Sequence, residues 1–341
     1  MARVLVCAGD GIGPEVVEAT LHVIEGLALD LDMVMEPVGM AGYAERGAAI
    51  TDTTVELARE ADAVLFGAVT TPPPSTEGYR SPLLTLRKEL DLYANVRPAR
   101  PLVPWLSRTG PSPVDGVSSI LDVILVRENT EGLYVRKERD VEGGVVAEKL
   151  VTEAATERLV RFAARLALDM DRRLVTCVHK ANLLRRSDGL FLSTFKRVMA
   201  EEAPDIQVSD LHVDAAAAAM VSEPASMDVL VTPNMYGDIL SDLAAAITGG
   251  LGLAPSGSFG EGTPLFEPVH GSAPTIAGKG LANPIGCMLS AAMMLEHLGH
   301  GVKAARMVEA VVGTVKARVL TPDLGGDATT LGFAGQVRER L

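Results

Sequence analysis

Short apolar runs rich in β-branched residues alternate with longer segments of helical periodicity, and this alternation is the strongest restriction on the fold. Such runs are typical of buried strands, and segments such as PEVVEATLHVIEGL are typical of amphipathic helices. The pattern predicts an α/β fold with a mostly parallel sheet flanked by helices, and 341 residues suggest two domains. The five predicted strands lie in RVLVCAGDG, ADAVLFGAV, LDVILVREN, RLVTCVHKAN and MDVLVTPN.

Polar residues follow three of these runs at the point where the apolar residues stop, in REN, HKAN and TPN. In open α/β sheets, ligands collect at the carboxyl ends of the strands. The sequence therefore predicts a functional rim at these three strand ends.

Composition excludes several classes of partner. There are 31 Lys and Arg residues against 44 Asp and Glu, which gives a net charge of −13 without a local basic patch, so we expect neither nucleic acid nor a membrane surface as partner. The longest uncharged run, 243–260, contains glycines and a proline and does not predict a membrane span. Cys7, Cys177 and Cys287 lie far apart in apolar stretches, which predicts neither disulfides nor a thiolate zinc site and favours a cytoplasmic protein.

Three segments fall outside the strand–helix pattern. Residues 70–82 predict a loop, either a functional lid or a plain surface connection, and residues 97–116 predict a loop that crosses between domains. Residues 133–152 read as a strand, a Gly-Gly turn and a return strand. We expect this hairpin to form an arm that pairs with a partner chain.

The first strand ends in a turn rich in glycine, at Gly9, Gly11 and Gly13. A dinucleotide fingerprint would need its third glycine at position 14, where this chain has Pro14. The spacing favours a tight strand-to-helix turn over a Rossmann diphosphate site.

Asp238 and Asp242 are four residues apart in NMYGDILSDLAAA, on one face of a helix predicted to begin near Gly237. Their mutual repulsion calls for a positive partner, and oxygen ligands without His or Cys favour Mg²⁺ or Mn²⁺. Asp214, at the end of the strand-like LHVD, is the candidate third ligand. The alternative is a solvated acidic helix face, or a helix cap at Asp238.

Arg87, Arg97 and Arg127 are candidates for binding a di- or tricarboxylic acid, because guanidinium groups bind carboxylates in a bidentate manner. Exposed ion pairs are the alternative for each. Tyr134 and Lys180 are candidates for the general acid and base. The Gly-rich segment LFEPVHGSAPTIAGKGLANP is either a phosphate-binding nest or a plain loop.

Together these motifs resemble the metal-dependent β-decarboxylating dehydrogenases that act on 3-isopropylmalate, isocitrate and homoisocitrate. The resemblance extends over nearly the whole chain, through GDGIGPE, LRKELDLYANVRP, VRENTEGLYV, HKAN, NMYGDILSD and TPDLGGDATT. It implies the isopropylmalate dehydrogenase-like fold, which is not a Rossmann fold: two α/β domains around a central cleft, and the β arm at a dimer interface. The implied domains are residues 1–97 with 250–341 for the cofactor, and 98–249 for substrate and dimerisation.

The resemblance also implies a role for each candidate residue. Arg87, Arg97 and Arg127 would hold the malate carboxylates, and Asp214, Asp238 and Asp242 would hold Mg²⁺ or Mn²⁺. Tyr134 would protonate the enol and Lys180 would act as base, with Lys180 and Asp214 supplied by the second subunit of a homodimer, which could pair into a tetramer. The implied cofactor residues are Asn182, Glu267, His270, Gly271, Ser272, Ala273, Thr275, Ile276, Asn283 and Asp323.

Cofactor and substrate choice are less fixed by the motifs. The family's NAD-using members have an acidic residue where this chain has Thr275. The Lys-Tyr pair typical of the NADP-using members is also absent, because Ile276 follows Thr275. We therefore expect NAD as the cofactor, and NADP is the alternative. The residues predicted to line the substrate side-chain pocket are Arg80, Ser81, Leu83 and Leu84. Arg80 and Ser81 suit a distal carboxylate, whereas the two leucines suit an isopropyl group.

We therefore expect homoisocitrate as substrate, then 3-isopropylmalate, then isocitrate. ENTEGLYV, GLFL and TPDLGGDATT resemble the homoisocitrate and isocitrate branches more than the bacterial isopropylmalate branch. The alternative to an enzyme is a regulatory subunit without catalytic activity. The presence of all candidate arginines, aspartates, Tyr134 and Lys180 speaks against it.

Overall fold

The computed structural model describes residues 1–70, 79–109 and 120–341. The strands are β1 (Ala2–Gly9), β2 (Leu31–Met35), β3 (Ala63–Ala68), β4 (Ala94–Ala99), β5 (Val123–Glu128), β6 (Glu138–Val141), β7 (Gly144–Ala147), β8 (Leu174–His179), β9 (Gln207–His212), β10 (Val229–Thr232), β11 (Pro255–Phe259) and β12 (Leu265–Pro268). The helices are α1 (Gly13–Gly26), α2 (Gly39–Arg46), α3 (Asp52–Glu60), α4 (Pro82–Glu89), α5 (Glu153–Asp169), α6 (Ser187–Glu202), α7 (Val213–Ser222), α8 (Asn234–Thr248), α9 (Ile285–His297), α10 (Gly301–Lys316) and α11 (Thr330–Arg338).

The chain divides into two compact units. The first contains Met1–Leu92 and Gly249–Leu341, so both chain ends belong to it, and the second is Tyr93–Thr248. The sequence placed the first boundary near residue 97, within β4. The division falls before β4 because that strand pairs along its whole length with β5.

In the first unit the strand order is β2-β1-β3-β12-β11. All neighbours are parallel except β11 and β12. Every residue of β3 is buried, which explains why it reads as a continuous apolar run rather than an alternating one. The core of this unit includes Leu5, Phe66, Leu86 and Leu265.

In the second unit the strand order is β4-β5-β10-β8-β9, parallel except for the antiparallel pair β4 and β5. Strands β6 and β7 form a separate antiparallel hairpin that turns at Gly143, where φ is +71°. The hairpin is almost entirely exposed. The predicted α/β fold is thus confirmed, and the predicted arm is present as a hairpin.

Backbone atoms of neighbouring segments occupy the space next to the glycines of the turn after β1. A Cβ on Gly11, whose φ is +61°, would lie 2.0 Å from the carbonyl oxygen of Ser272, and one on Gly13 would lie 2.1 Å from that of Ala8. The Ile12 amide donates to the same Ser272 oxygen at 2.9 Å. These glycines therefore permit close approach of the backbone rather than forming an open diphosphate cradle.

Two local predictions need correction. Helix α8 begins at Asn234 rather than near Gly237, because the Gly237 amide already donates to the Pro233 carbonyl at 3.0 Å. Asp238 therefore lies inside the helix and is not its cap. Asp214 is in the first turn of α7 rather than at a strand end, since β9 stops at His212.

Most of the predicted loop at 70–82 falls on residues 71–78, outside the described residues. The predicted loop at 97–116 is wrong at its start, because residues 97–99 belong to β4, and Pro104–Leu106 form a short 3-10 helix. Its described residues, 97–109, lie within the second unit, and 110–116 are outside the described residues. None of the helices in the described part of the chain combines the length and the apolarity needed to cross a bilayer.

Candidate active site

Two of the predicted arginines lie on one face of the second unit's sheet. In the antiparallel pair of β4 and β5, Asn95 is directly opposite Arg127, and Arg97 is two residues from Asn95. Because side chains alternate along a strand, these three point to the same face. Arg97 donates from Nε to Asn95 Oδ1 at 2.7 Å, and both arginines are buried. The alternative of exposed ion pairs therefore does not hold for Arg97 and Arg127.

Helix α8 presents its carboxylates to these guanidinium groups. Asp238 Oδ1 accepts a hydrogen bond from Arg127 Nη1 and lies 3.5 Å from Arg97 Nη1. Asp242 lies 3.8 Å from Arg97 Nη1. The positive partner predicted for the aspartates is thus a pair of arginines. Since about half of the Asp242 side chain remains accessible, a cation has access to its oxygens.

Two further side chains on α8 hold the arginines in place. Asn234 Oδ1 accepts from Arg127 Nε at 3.0 Å and from Nη2 at 2.7 Å, and Ser241 Oγ accepts from Arg97 Nη1 at 2.6 Å. A Cβ on Gly237 would lie 2.7 Å from Arg127 Cβ, so the close approach needs glycine there. Asn234 and Ser241 are not among the residues predicted for the site from the sequence. Their spacing from Asp238, at four and three residues on one helix face, was the available signal.

Tyr134 belongs to the same cluster. Its hydroxyl donates to Asp238 Oδ2, and the Arg127 guanidinium lies 5.0 Å from the centre of its ring. Burial, and then the hydrogen bond to Asp238, raises the pKa of Tyr134 above its usual value. The phenol is therefore protonated at neutral pH and is suited to donate a proton. Burial, followed by the nearby Asp238 charge, also raises the pKa of Asp242, while Arg97 and Arg127 oppose that rise.

Lys180 and Asp214 form a second group. Lys180 follows the end of β8, and its ammonium group makes an ion pair with Asp214 Oδ1 in the first turn of α7. The hydrogen bond from Lys180 holds the pKa of Asp214 below its usual range. Within residues 1–70, 79–109 and 120–341 of one chain, no three His, Cys, Asp or Glu side chains are grouped so that they could hold a metal. A single chain therefore does not bring Asp214 together with Asp238 and Asp242.

In the first unit, Arg87 and Glu267 form a buried ion pair, with Arg87 Nη2 2.8 Å from Glu267 Oε1. Arg87 Nε is buried and has no hydrogen-bond partner among the described residues. The predicted substrate arginine and the predicted cofactor carboxylate are thus in contact with each other. An unpaired buried donor is costly, so this nitrogen indicates where a ligand would bind.

His270 shows the same feature. Its Nδ1 lies 3.0 Å from the Gly271 carbonyl oxygen, which assigns the proton to Nδ1 and leaves Nε2 as an acceptor. Nε2 is buried and has no partner among the described residues. Burial lowers the pKa of His270, so the ring is neutral. An N–H or O–H group of a ligand would satisfy this acceptor.

The other predicted cofactor residues are mostly held by local contacts. Thr70 donates to Ser272 Oγ at 2.9 Å, Ala273 has a φ of +37°, and Asn283 donates to Asp323 at 3.0 Å. Thr275 is exposed, and its carbonyl accepts from Lys279 Nζ at 2.8 Å. Ile276 is half-buried in the same turn, whereas Asn182 is exposed after β8 in the second unit.

The predicted specificity residues lie at the start of α4. Ser81 precedes its first turn without capping it through the side chain. Arg80 is half exposed and 3.2 Å from Asp52. Leu83 is partly buried against the core of the first unit, and Leu84 is half-buried. The four residues thus form a mixed polar and apolar set.

The chain is similar to known proteins over nearly its whole length. The family model for isocitrate/isopropylmalate dehydrogenase matches residues 3–337. The chain is 46% identical over 339 residues to the isocitrate/homoisocitrate dehydrogenase of Thermus thermophilus, covering 99% of this chain and 98% of the relative. It is 42% identical over 344 residues to the 3-isopropylmalate dehydrogenase of Archaeoglobus fulgidus, with both chains fully covered.

A solved structure, that of isocitrate dehydrogenase from Methylococcus capsulatus, superposes with a TM-score of 0.89 at 41% identity, covering 100% of this chain and 99% of the other. Relatives with about the same identity to this chain are thus named for different substrates, although all of them are named as dehydrogenases. The chain belongs to the isocitrate/isopropylmalate dehydrogenase family of metal-dependent decarboxylating dehydrogenases.

Proposed function

We propose that the protein oxidises and decarboxylates homoisocitrate to 2-oxoadipate, with NAD and with Mg²⁺ or Mn²⁺, in the cytoplasm. The observation that carries the proposal is the cluster in which the buried Arg97 and Arg127 face the accessible Asp238, Asp242 and Tyr134. Guanidinium groups beside carboxylates and a protonated phenol supply an anion clamp, ligands for a hard cation and an acid.

The side chains present fit the two bound groups that this chemistry requires. Asp238 and Asp242 offer hard oxygen ligands, and Asp214 from a partner chain would complete the set. The buried acceptor His270 Nε2 suits a hydrogen-bond donor of a nicotinamide nucleotide. When bound, the divalent ion would polarise the oxygen on C2 and the nicotinamide would accept a hydride.

The chain's own residues then carry the protons. Lys180 removes the proton of the C2 hydroxyl while the hydride leaves C2. Arg97 and Arg127, with Arg87 as the third guanidinium, hold the carboxylates of the resulting 2-oxo acid as the β-carboxylate departs as CO₂. Tyr134 gives its phenolic proton to the carbon that lost CO₂, which its raised pKa supports.

We propose a homodimer with shared sites as the functional unit. Two observations support it: the described part of one chain does not assemble a three-carboxylate metal site, and the second unit exposes apolar side chains. Leu183, Val221 and Ile239 are more than half exposed, and the hairpin leaves Val145 exposed. Exposed apolar surface of this kind is typical of an interface. A tetramer would be a pair of such dimers.

NAD is proposed because the side chain of Thr275 offers no positive charge to the 2′-phosphate of NADP and Ile276 follows it. The second candidate substrate is 3-isopropylmalate, favoured by the partly buried Leu83 and Leu84. Isocitrate is the third. A non-catalytic regulatory role is disfavoured because the acid, the base and the clamp residues are all present.

A steady-state panel of homoisocitrate, 3-isopropylmalate and isocitrate, each with NAD and NADP, tests the proposal. We expect the highest kcat/KM for homoisocitrate with NAD, and loss of turnover in excess EDTA. A tenfold preference for NADP, or for 3-isopropylmalate, would overturn the corresponding part of the assignment.

The R80A variant tests whether Arg80 contributes to the choice between homoisocitrate and 3-isopropylmalate. If Arg80 contacts the distal carboxylate, its loss removes a charge-assisted hydrogen bond and lowers kcat/KM for homoisocitrate by about 10- to 100-fold, while 3-isopropylmalate changes little. The matched control is R59A, since Arg59 is also a half-exposed arginine with one carboxylate partner, Glu89. Unchanged homoisocitrate turnover in R80A would remove the argument for this contact.

A further inference from the structure

A fully buried carboxylate, Asp188, lies next to the backbone of Lys180 and has no place in the chemistry described above. It is in the first turn of α6. Its Oδ2 accepts a hydrogen bond from the Lys180 backbone amide at 2.8 Å and from the Tyr236 hydroxyl at 3.2 Å. Its Oδ1 accepts from the Lys149 ammonium group. One carboxylate therefore contacts three separate parts of the second unit.

The partners of Asp188 all lie in segments that matter to the site. Lys180 follows β8, Lys149 lies just after the hairpin, and Tyr236 is two residues before Asp238 on α8. Lys149 also lies 4.7 Å from the centre of the Tyr236 ring. The carboxylate thus fixes the lysine-bearing turn relative to the helix that carries the aspartates.

The backbone on the far side of Lys180 is held as well. The Ala181 amide donates to His179 Nδ1 at 3.0 Å, and His179 Nε2 is 3.1 Å from Asp210. With both amides bound to buried acceptors, the Cα of Lys180 has little freedom. A general base needs such placement, because small displacements of a reacting group lower the rate strongly.

We propose that Asp188 is a positioning residue for Lys180, with Lys149 as the cation that allows its charge to be buried. This inference rests on the proposed role of Lys180 as base. Neither Asp188 nor Lys149 is among the residues proposed to bind the substrate or the metal. Their effect is therefore expected in kcat rather than in the KM for substrate, which depends on the arginines.

The variant D188N tests the idea. An asparagine offers one acceptor oxygen instead of two, and the Lys149 ammonium group competes for it more strongly than the Lys180 amide does. We expect kcat to fall by about 10- to 100-fold with the substrate KM changed less than about threefold.

The double variant K149M/D188N separates positioning from simple destabilisation. Without the ammonium, the asparagine oxygen is available to the Lys180 amide, so kcat is expected to recover at least about tenfold relative to D188N. A purely structural role predicts no recovery, because the two losses would add.

Asp228 provides a matched control at the other end of β8. It accepts from the amides of Arg173 and Leu174 at 2.8 and 2.9 Å and pairs with Arg172, so its contacts resemble those of Asp188. D228N is expected to lower the melting temperature while leaving kcat per folded enzyme unchanged. A kcat for D188N within threefold of wild type, or no recovery in the double variant, would overturn the inference.

Two results separate this inference from the proposed function. If wild-type enzyme turns over none of the three acids, or if K180M remains fully active, the proposed function fails instead. If D188N does not fold, the double variant K149M/Y236F takes its place, because it removes both side-chain donors to Asp188. We expect its kcat to be about tenfold below that of the wild type. Unchanged kcat in that variant would contradict the inference equally.

Discussion

Replacing Lys180 by methionine is expected to lower kcat for the preferred malate by about 10²- to 10⁴-fold, the range that a positioned general base contributes. Methionine keeps most of the length and apolar character of the side chain but cannot accept a proton. The arginines are untouched, so the substrate KM should change little. Steady-state rates of nicotinamide reduction give both constants.

The control for this prediction is K303M in the first unit. Lys303 donates to the Leu27 carbonyl at 2.8 Å, so its replacement also removes a lysine with a local structural contact. We expect wild-type kcat for K303M. A K180M enzyme with kcat within tenfold of wild type would show that another group removes the hydroxyl proton.

The second large effect is expected for R127Q. Arg127 is almost fully buried and is held by Asn234 while it contacts Asp238. Its loss would remove a bidentate contact to a substrate carboxylate, worth about 3 to 6 kcal/mol for two charge-assisted bonds, which is roughly 10²- to 10⁴-fold in kcat/KM. It would also remove a positive charge that competes with a cation for Asp238, so a lower metal concentration should be needed for half-maximal activity.

R172Q is the matched comparison for R127Q. Arg172 is also a partly buried arginine that pairs with two carboxylates, Asp122 and Asp228, but it lies at the amino end of β8. The R172Q variant should be less stable than the wild type but retain kcat/KM within about threefold. Ion pairs near the surface and away from the site contribute modestly to stability and do not contact the substrate. Equal losses of kcat/KM in the two variants would contradict a substrate-binding role for Arg127.

The fold was predictable where strands are buried on both faces. β3, β5, β8 and β10 are buried and consist mainly of apolar residues, a composition that favours a central parallel strand. β4 was not predicted as a strand, because Asn95 and Arg97 interrupt its apolar pattern. They face the ion-pair cluster instead of a hydrophobic core. A strand that carries the polar residues of a site therefore lacks the apolar pattern by which strands are predicted from sequence.

The candidate site was predictable as a set of residue types and less so as a set of contacts. The spacing of Asp238 and Asp242 predicted a shared helix face and a positive partner, and the structure supplies Arg97 and Arg127. Asp188 had no signal in the sequence, because its role comes from three contacts distant along the chain. The pairing of the hairpin with a partner chain and the roles of Lys180 and Asp214 in a shared site stay predictions.

Mixing two inactive variants tests the central claim, a site built from two chains, most directly. In a 1:1 mixture of K180M and Y134F chains that are unfolded and refolded together, half of the dimers are mixed, and each mixed dimer has one site with both Tyr134 and Lys180 intact. We expect about a quarter of the wild-type specific activity. No recovery above the two separate variants, with mixed dimers present, would contradict a site shared between chains.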